Sequence, residues 1–201
     1  MVRSIFTLAV AVTFWAFSTA APIPMGAGPP PLNFPTQVGT KWVYQLPAEN
    51  VSVVLTDSVK TDSRTVVVSE YTERDGRRCT WEKVAVSDDG IWLVADSVSI
   101  YKPPIRWIKA TAKQEEKWMI DSAYKFGEDT EGYFQRVGTI TFIGMEKVKV
   151  PAGVFYARRM EARGGRVWTE TRWYAPGVGL VKWIRNNGDT ILLKSFALGK
   201  E

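Results

Sequence analysis

The chain has 201 residues, a formal net charge of +5, nine tryptophans, one cysteine and no histidine. The missing histidine removes the commonest general base and metal ligand, so a serine–histidine triad and zinc, iron–sulfur or thiol–histidine chemistry within one chain are excluded. The small positive excess fits attraction to anionic surfaces rather than a basic tail or patch, and no nucleic-acid partner is expected.

Met1-Val2-Arg3 gives a short positive start, Ile5 to Phe17 is apolar except for Thr7 and Thr13, and Ser18-Thr19-Ala20 supplies small residues. That order reads as a secretory signal peptide over residues 1–20, and the apolar run is too short to span a bilayer. The location expected is therefore exported, periplasmic or extracellular. No cysteine follows the run to carry a lipid, and no later run is long enough for a membrane helix. Residues 21–36 form a proline- and glycine-rich leader that suits neither helix nor ladder. With Cys79 as the lone cysteine, no internal disulfide is expected.

Residues 37–201 read as one β domain. Lys41 to Leu46, Val51 to Leu55, Thr65 to Tyr71, Cys79 to Val86 and Ile91 to Ala95 alternate or are β-branched. Val137 to Phe142, Glu146 to Val150, Val154 to Met160, Val167 to Tyr174, Gly179 to Arg185 and Ile191 to Leu198 follow in the second half. Tight turns such as Ser87-Asp88-Asp89-Gly90, Pro151-Ala152-Gly153 and Asn186-Asn187-Gly188-Asp189 favour sequential antiparallel pairing. Ile105 to Trp118 reads as either a helix or a long connection. The fold class expected is all-β, an antiparallel meander of about ten strands forming a curved sheet, half-barrel or barrel with at most one short helix. Lys41-Trp42 with Lys117-Trp118, Gly76-Arg77 with Gly165-Arg166, and Gly90-Ile91 with Gly179-Leu180 outline a two-fold internal repeat over 37–100 and 112–198.

No nucleophile motif, phosphate loop or dinucleotide fingerprint occurs, so neither an enzyme nor a bound cofactor is expected. Asp88-Asp89, Glu115-Glu116 and Glu128-Asp129-Glu131 read as turn or linker carboxylates. Glu161 and Glu170 flank the turn between Arg163 and Arg166; with Arg159 and Arg172 nearby, cross-strand ion pairing accounts for them better than a catalytic carboxylate pair. Cys79 stands beside Arg77 and Arg78 but reads as a small packed residue rather than an activated thiol. Aromatics interleaved with arginines suggest a binding surface made of Trp168, Trp173, Arg159, Arg166 and Arg172, suited to an anionic glycan or lipid headgroup. Period-two counting puts Trp168 and Trp173 on opposite faces of one strand, so both cannot be core in a one-sided sheet.

Three stretches carry a resemblance: Gly39-Thr40-Lys41-Trp42-Val43-Tyr44, Val150-Pro151-Ala152-Gly153-Val154-Phe155, and Tyr174-Ala175-Pro176-Gly177-Val178-Gly179-Leu180-Val181-Lys182. In these motifs the chain resembles a family of uncharacterised exported bacterial β proteins, often lipoproteins, though it lacks their lipid-bearing cysteine. The family's curved sheets are similar in outline to periplasmic lipoprotein carriers, whose concave face holds acyl chains, and that is a likeness of fold. The resemblance implies a cell-envelope protein that binds an apolar or amphipathic ligand on a concave sheet. The other readings are a carbohydrate-binding module using exposed tryptophan and an assembly module pairing through a sheet edge.

Overall fold

The computed structural model describes residues 31–126, 132–165 and 168–200. The proposed signal peptide, most of the leader, the Glu128-Asp129-Glu131 cluster and Arg166 lie outside the described residues. Twelve strands follow in chain order. The first six are β1 (Lys41–Gln45), β2 (Asn50–Lys60), β3 (Thr65–Thr72), β4 (Arg78–Ser87), β5 (Gly90–Asp96) and β6 (Ser99–Lys109). The second six are β7 (Lys117–Phe126), β8 (Phe134–Val150), β9 (Gly153–Gly164), β10 (Trp168–Ala175), β11 (Gly179–Ile184) and β12 (Thr190–Ala197). Each pairs antiparallel with the next, and β12 returns to β1 to close a barrel. Alternation supplies the inner face: Trp42 and Tyr44 from β1, Val53 and Leu55 from β2 and Val67 from β3 are buried in one core.

The stretch from Ile105 to Trp118 is neither helix nor a long connection, because it holds the end of β6, a turn and the start of β7. Ile105 and Trp107 point inward and are buried, while Arg106 turns out against the Trp92 ring. Ile108, also buried, breaks the simple alternation and hides it from a sequence count. Pro103 and Pro104 are tolerated because the β5–β6 register skips from Ala95↔Ile100 to Leu93↔Ile105, and the β6–β7 ladder ends at Lys102. The stretches Val137 to Phe142 and Glu146 to Val150 are a single strand, bent by a bulge between Phe142 and Gly144.

That strand makes the β8–β9 hairpin longer than the barrel wall. Its tip turns back over the outside, where β8 packs against β11 and β12 and the Ala152 amide donates to the Leu193 carbonyl at 3.0 Å. Val148, Val150 and Ala157 are buried there. One end of the barrel is capped by the segment before β1: the Gly177 amide donates to Leu32 O at 3.1 Å, and the Trp42 indole N–H donates to Val178 O at 2.7 Å. Gly90, at the β4–β5 turn of this end, has φ +146°, and a β-carbon there would lie 1.9 Å from Ile108 O. Only glycine lets these backbones meet. The matched sequence pairs stand six strands apart: Trp42 on β1 and Trp118 on β7, Gly76 before β4 and Gly165 before β10, Gly90 opening β5 and Gly179 opening β11.

Candidate functional site

Towards the other end of the barrel, β10 carries much of the inner wall. Trp168, Glu170, Arg172 and Tyr174 face the lumen, and Thr169, Thr171 and Trp173 face out. Arg172 is 4% exposed. Its Nε donates to Glu170 Oε2 at 3.0 Å, and its Nη1 reaches across to Glu82 Oε1 of β4 at 2.7 Å and to the Tyr174 hydroxyl at 3.3 Å. The guanidinium lies between two indoles, 4.2 Å from the Trp107 ring and 4.1 Å from the Trp183 ring. Arg185 covers Trp183 at 4.9 Å. Burial works against the charge on Arg172, but Glu170, Tyr174 and Glu82 hold it well above the ordinary guanidinium range.

One cation here serves two carboxylates. Burial therefore pushes the Glu82 carboxyl up despite the pull of Arg172, with Asp96 and Glu170 adding repulsion. A carboxyl raised on folding contributes stability that is complete below its unfolded pKa, near 4.5, and lost as pH rises through the higher folded value. Glu82→Gln keeps an acceptor for Arg172 and removes this titration. Its melting temperature relative to wild type should climb between pH 4.5 and neutrality. A difference that stays flat across that window would remove Glu82 as the source.

Above this layer lies a cavity of about 280 Å³ walled by Trp81, Trp168 and Trp183, with Glu82, Glu170 and Arg172 as its floor. Arg136 and Asp96 stand at its rim. Arg136 packs on Trp168 at 4.9 Å and donates to the Tyr101 hydroxyl at 2.8 Å, which donates in turn to Asp96 Oδ2 at 2.6 Å. Burial, then Asp96, pushes the Tyr101 hydroxyl up, so it stays a donor. Asp96 Oδ1 accepts the backbone N–H groups of Val98 and Ser99, fixing the β5–β6 turn. Trp81 is held flat against Tyr44, with centroids 5.6 Å apart and planes 9° apart, and meets Tyr71 edge-on. A second, wider cavity of about 700 Å³ adjoins the first and shares Trp81, Ser97 and Arg185 with it.

The tryptophans and arginines singled out from sequence are divided between the two faces of β10. Trp168 and Arg172 look into the lumen. Trp173 and Arg159 are outside, where Trp173 is 4% exposed. It is covered by Arg159 at 5.6 Å and Lys182 at 4.7 Å, and its indole N–H donates to Glu146. Glu161 and Glu170 likewise lie on opposite sides of the wall, so they share no cleft. Their ion pairs run mainly along single strands at i,i+2, Arg159 and Arg163 with Glu161 and Arg172 with Glu170, instead of across strands. At Cys79, burial followed by Glu73 pushes the thiol up against the opposing pull of Arg77, which is itself engaged by Asp75 and Glu73. It rests as a thiol.

Sequence reasoning missed Glu82, Trp107, Trp183 and Arg136, which come from four other strands and meet only on closure. Among the described residues no group of three or more Cys, Asp or Glu is placed to hold a metal, and no helix is long and apolar enough to cross a membrane.

No protein-family model matches the sequence, and no curated protein does. The fold is similar to that of a "putative exported protein with YmcC-like fold" from Bacteroides fragilis NCTC 9343, at 16% identity over 83% of this chain and 99% of that one, TM-score 0.51. Two further structures match at TM-scores of 0.48 and 0.40: a "putative lipoprotein" from Parabacteroides distasonis ATCC 8503 and the "hypothetical lipoprotein YmcC" from Escherichia coli K12. The first is 15% identical over 83% of this chain and 98% of that one, the second 12% identical over 81% and 85%. At these identities the Bacteroides fragilis likeness concerns architecture alone, and it gives the motif resemblance to exported β proteins a counterpart in fold.

Proposed function

We propose that the chain is an exported, non-enzymatic binding protein that takes a saccharide in the tryptophan-walled cavity above Arg172. The observation that carries this reading is the set of three indoles, Trp81, Trp168 and Trp183, around a floor of carboxylates and a guanidinium. Sugar rings offer apolar C–H faces to aromatic walls and hydroxyl edges to charged hydrogen-bonding groups, and this cavity has both. Export is supported by residues 1–20 and by the word "exported" in the description of the similar Bacteroides protein.

The other readings fit the fold less well. An acyl chain entering the lumen would press against Arg172, Glu82 and Glu170 and strip their polar surroundings. Every strand has two neighbours, and beyond Lys102, where β6 and β7 no longer pair, the Trp118 indole N–H and the Ser122 hydroxyl donate to β6 carbonyls where a partner strand would have to enter. Outward positions such as Lys83, Glu161, Arg159 and Lys182 carry charge, unlike the apolar band of a transmembrane barrel.

Titration of the mature chain with a saccharide panel, followed by tryptophan fluorescence and calorimetry, tests the proposal. Saturable binding is expected, weakened about tenfold by Trp168→Ala, equivalent to ~1.4 kcal/mol for one lost aromatic stack. Absence of saccharide binding, together with a lipid retained in native mass spectra, would replace this reading with the carrier one.

A further inference from the structure

We infer that the ligand is an acidic oligosaccharide lying across both cavities, its anionic groups met by Arg78, Arg185 and Arg136. This rests on the saccharide reading above and adds charge and length to it. The two cavities share Trp81, Ser97 and Arg185, so they form one trough that runs from the lumen over the rim to the outer face of β2 and β3. At about 280 and 700 Å³ they offer more room together than a single sugar ring fills.

The charge argument comes from pairing. Most carboxylates lining the trough are engaged by a neighbour, some sharing one: Glu49 with Arg74, Glu73 and Asp75 together with Arg77, Glu82 and Glu170 together with Arg172. Asp96 is held by the Tyr101 hydroxyl and two backbone amides. Glu70 is the exception. Among the described residues, Arg78, Arg136 and Arg185 line the same trough without a carboxylate partner. Arg136 and Arg185 are held in place by aromatic faces, Trp168 and Trp183 respectively, which fixes their planes and leaves N–H groups for an incoming anion. Arg185 lies where the two cavities join, and Arg78 and Arg136 lie one on each side of it.

Calorimetric titration of the mature chain with a monouronate, a tetrauronate, a neutral tetrasaccharide and inorganic polyphosphate tests this directly. The tetrauronate should bind about tenfold more tightly than either the monouronate or the neutral tetramer, with affinity falling as salt is raised. Arg185→Gln, at an exposed position, should close most of that gap while the melting temperature holds. Equal binding of neutral and acidic tetramers would overturn the charge assignment and leave the saccharide reading standing. Equal binding of monouronate and tetrauronate would show that the cavities do not act as one trough. Polyphosphate binding as tightly as tetrauronate would reduce the effect to general polyanion attraction and overturn the inference. If no saccharide binds, both readings fall.

Discussion

Arg172→Met is expected to destabilise the barrel by about 3–5 kcal/mol, because it leaves two buried carboxylates facing each other without their cation. Glu82 and Glu170 each accept from the same guanidinium, and the side chains of all three are at most 13% exposed. The loss is large beside the ~5–15 kcal/mol that holds a typical domain folded. Urea denaturation followed by tryptophan fluorescence measures it directly. The triple variant Arg172→Met, Glu82→Gln, Glu170→Gln should recover much of the deficit, since removing both charges removes the uncompensated burial. A single variant as stable as wild type would mean that Glu82 and Glu170 do not depend on Arg172 for their burial.

Trp107→Ala should cost a similar ~3–5 kcal/mol, the usual range for emptying a buried aromatic site. Trp107 is 2% exposed, and its ring is one of the two faces that clamp Arg172. Trp107→Phe tests the cause. It keeps an aromatic face under the guanidinium and sheds an indole N–H that has no hydrogen-bond partner among the described residues. Thermal or urea unfolding should therefore show a much smaller loss for Phe than for Ala. Equal losses would assign the effect to indole size alone. Because Trp107 and Arg172 touch, Trp107→Ala combined with Arg172→Met should cost less than the two separate effects added together.

The turns were the most legible part of the sequence. Ser87 to Gly90, Pro151 to Gly153 and Asn186 to Asp189 each join the strands expected of them, because their chemistry is local. The core of β6 was hidden, since Pro103, Pro104 and the adjacent buried pair Trp107 and Ile108 disguise a period-two strand. The candidate site was legible only where one strand supplies it. Period two separates Trp168 from Trp173, but nothing local says which face is inside. Nor does anything local bring Glu82 of β4 to Arg172 of β10, residues 90 positions apart in the chain. That meeting follows from barrel closure, a property of all twelve strands together.

Closure also has a consequence for how the chain reaches its native state. β1 pairs with β12, Lys41 opposite Ala197, and the Gly199 amide donates to the Thr40 hydroxyl across 159 residues of sequence. During synthesis the amino-terminal strand emerges first, yet it acquires its second neighbour last. Until the final strand arrives, Trp42 and Tyr44 lie beside an unsatisfied ladder, and contacts this distant in sequence form slowly. A chain cut short anywhere before β12 keeps two exposed margins that invite aggregation, so the last strand decides whether a newly made molecule is finished.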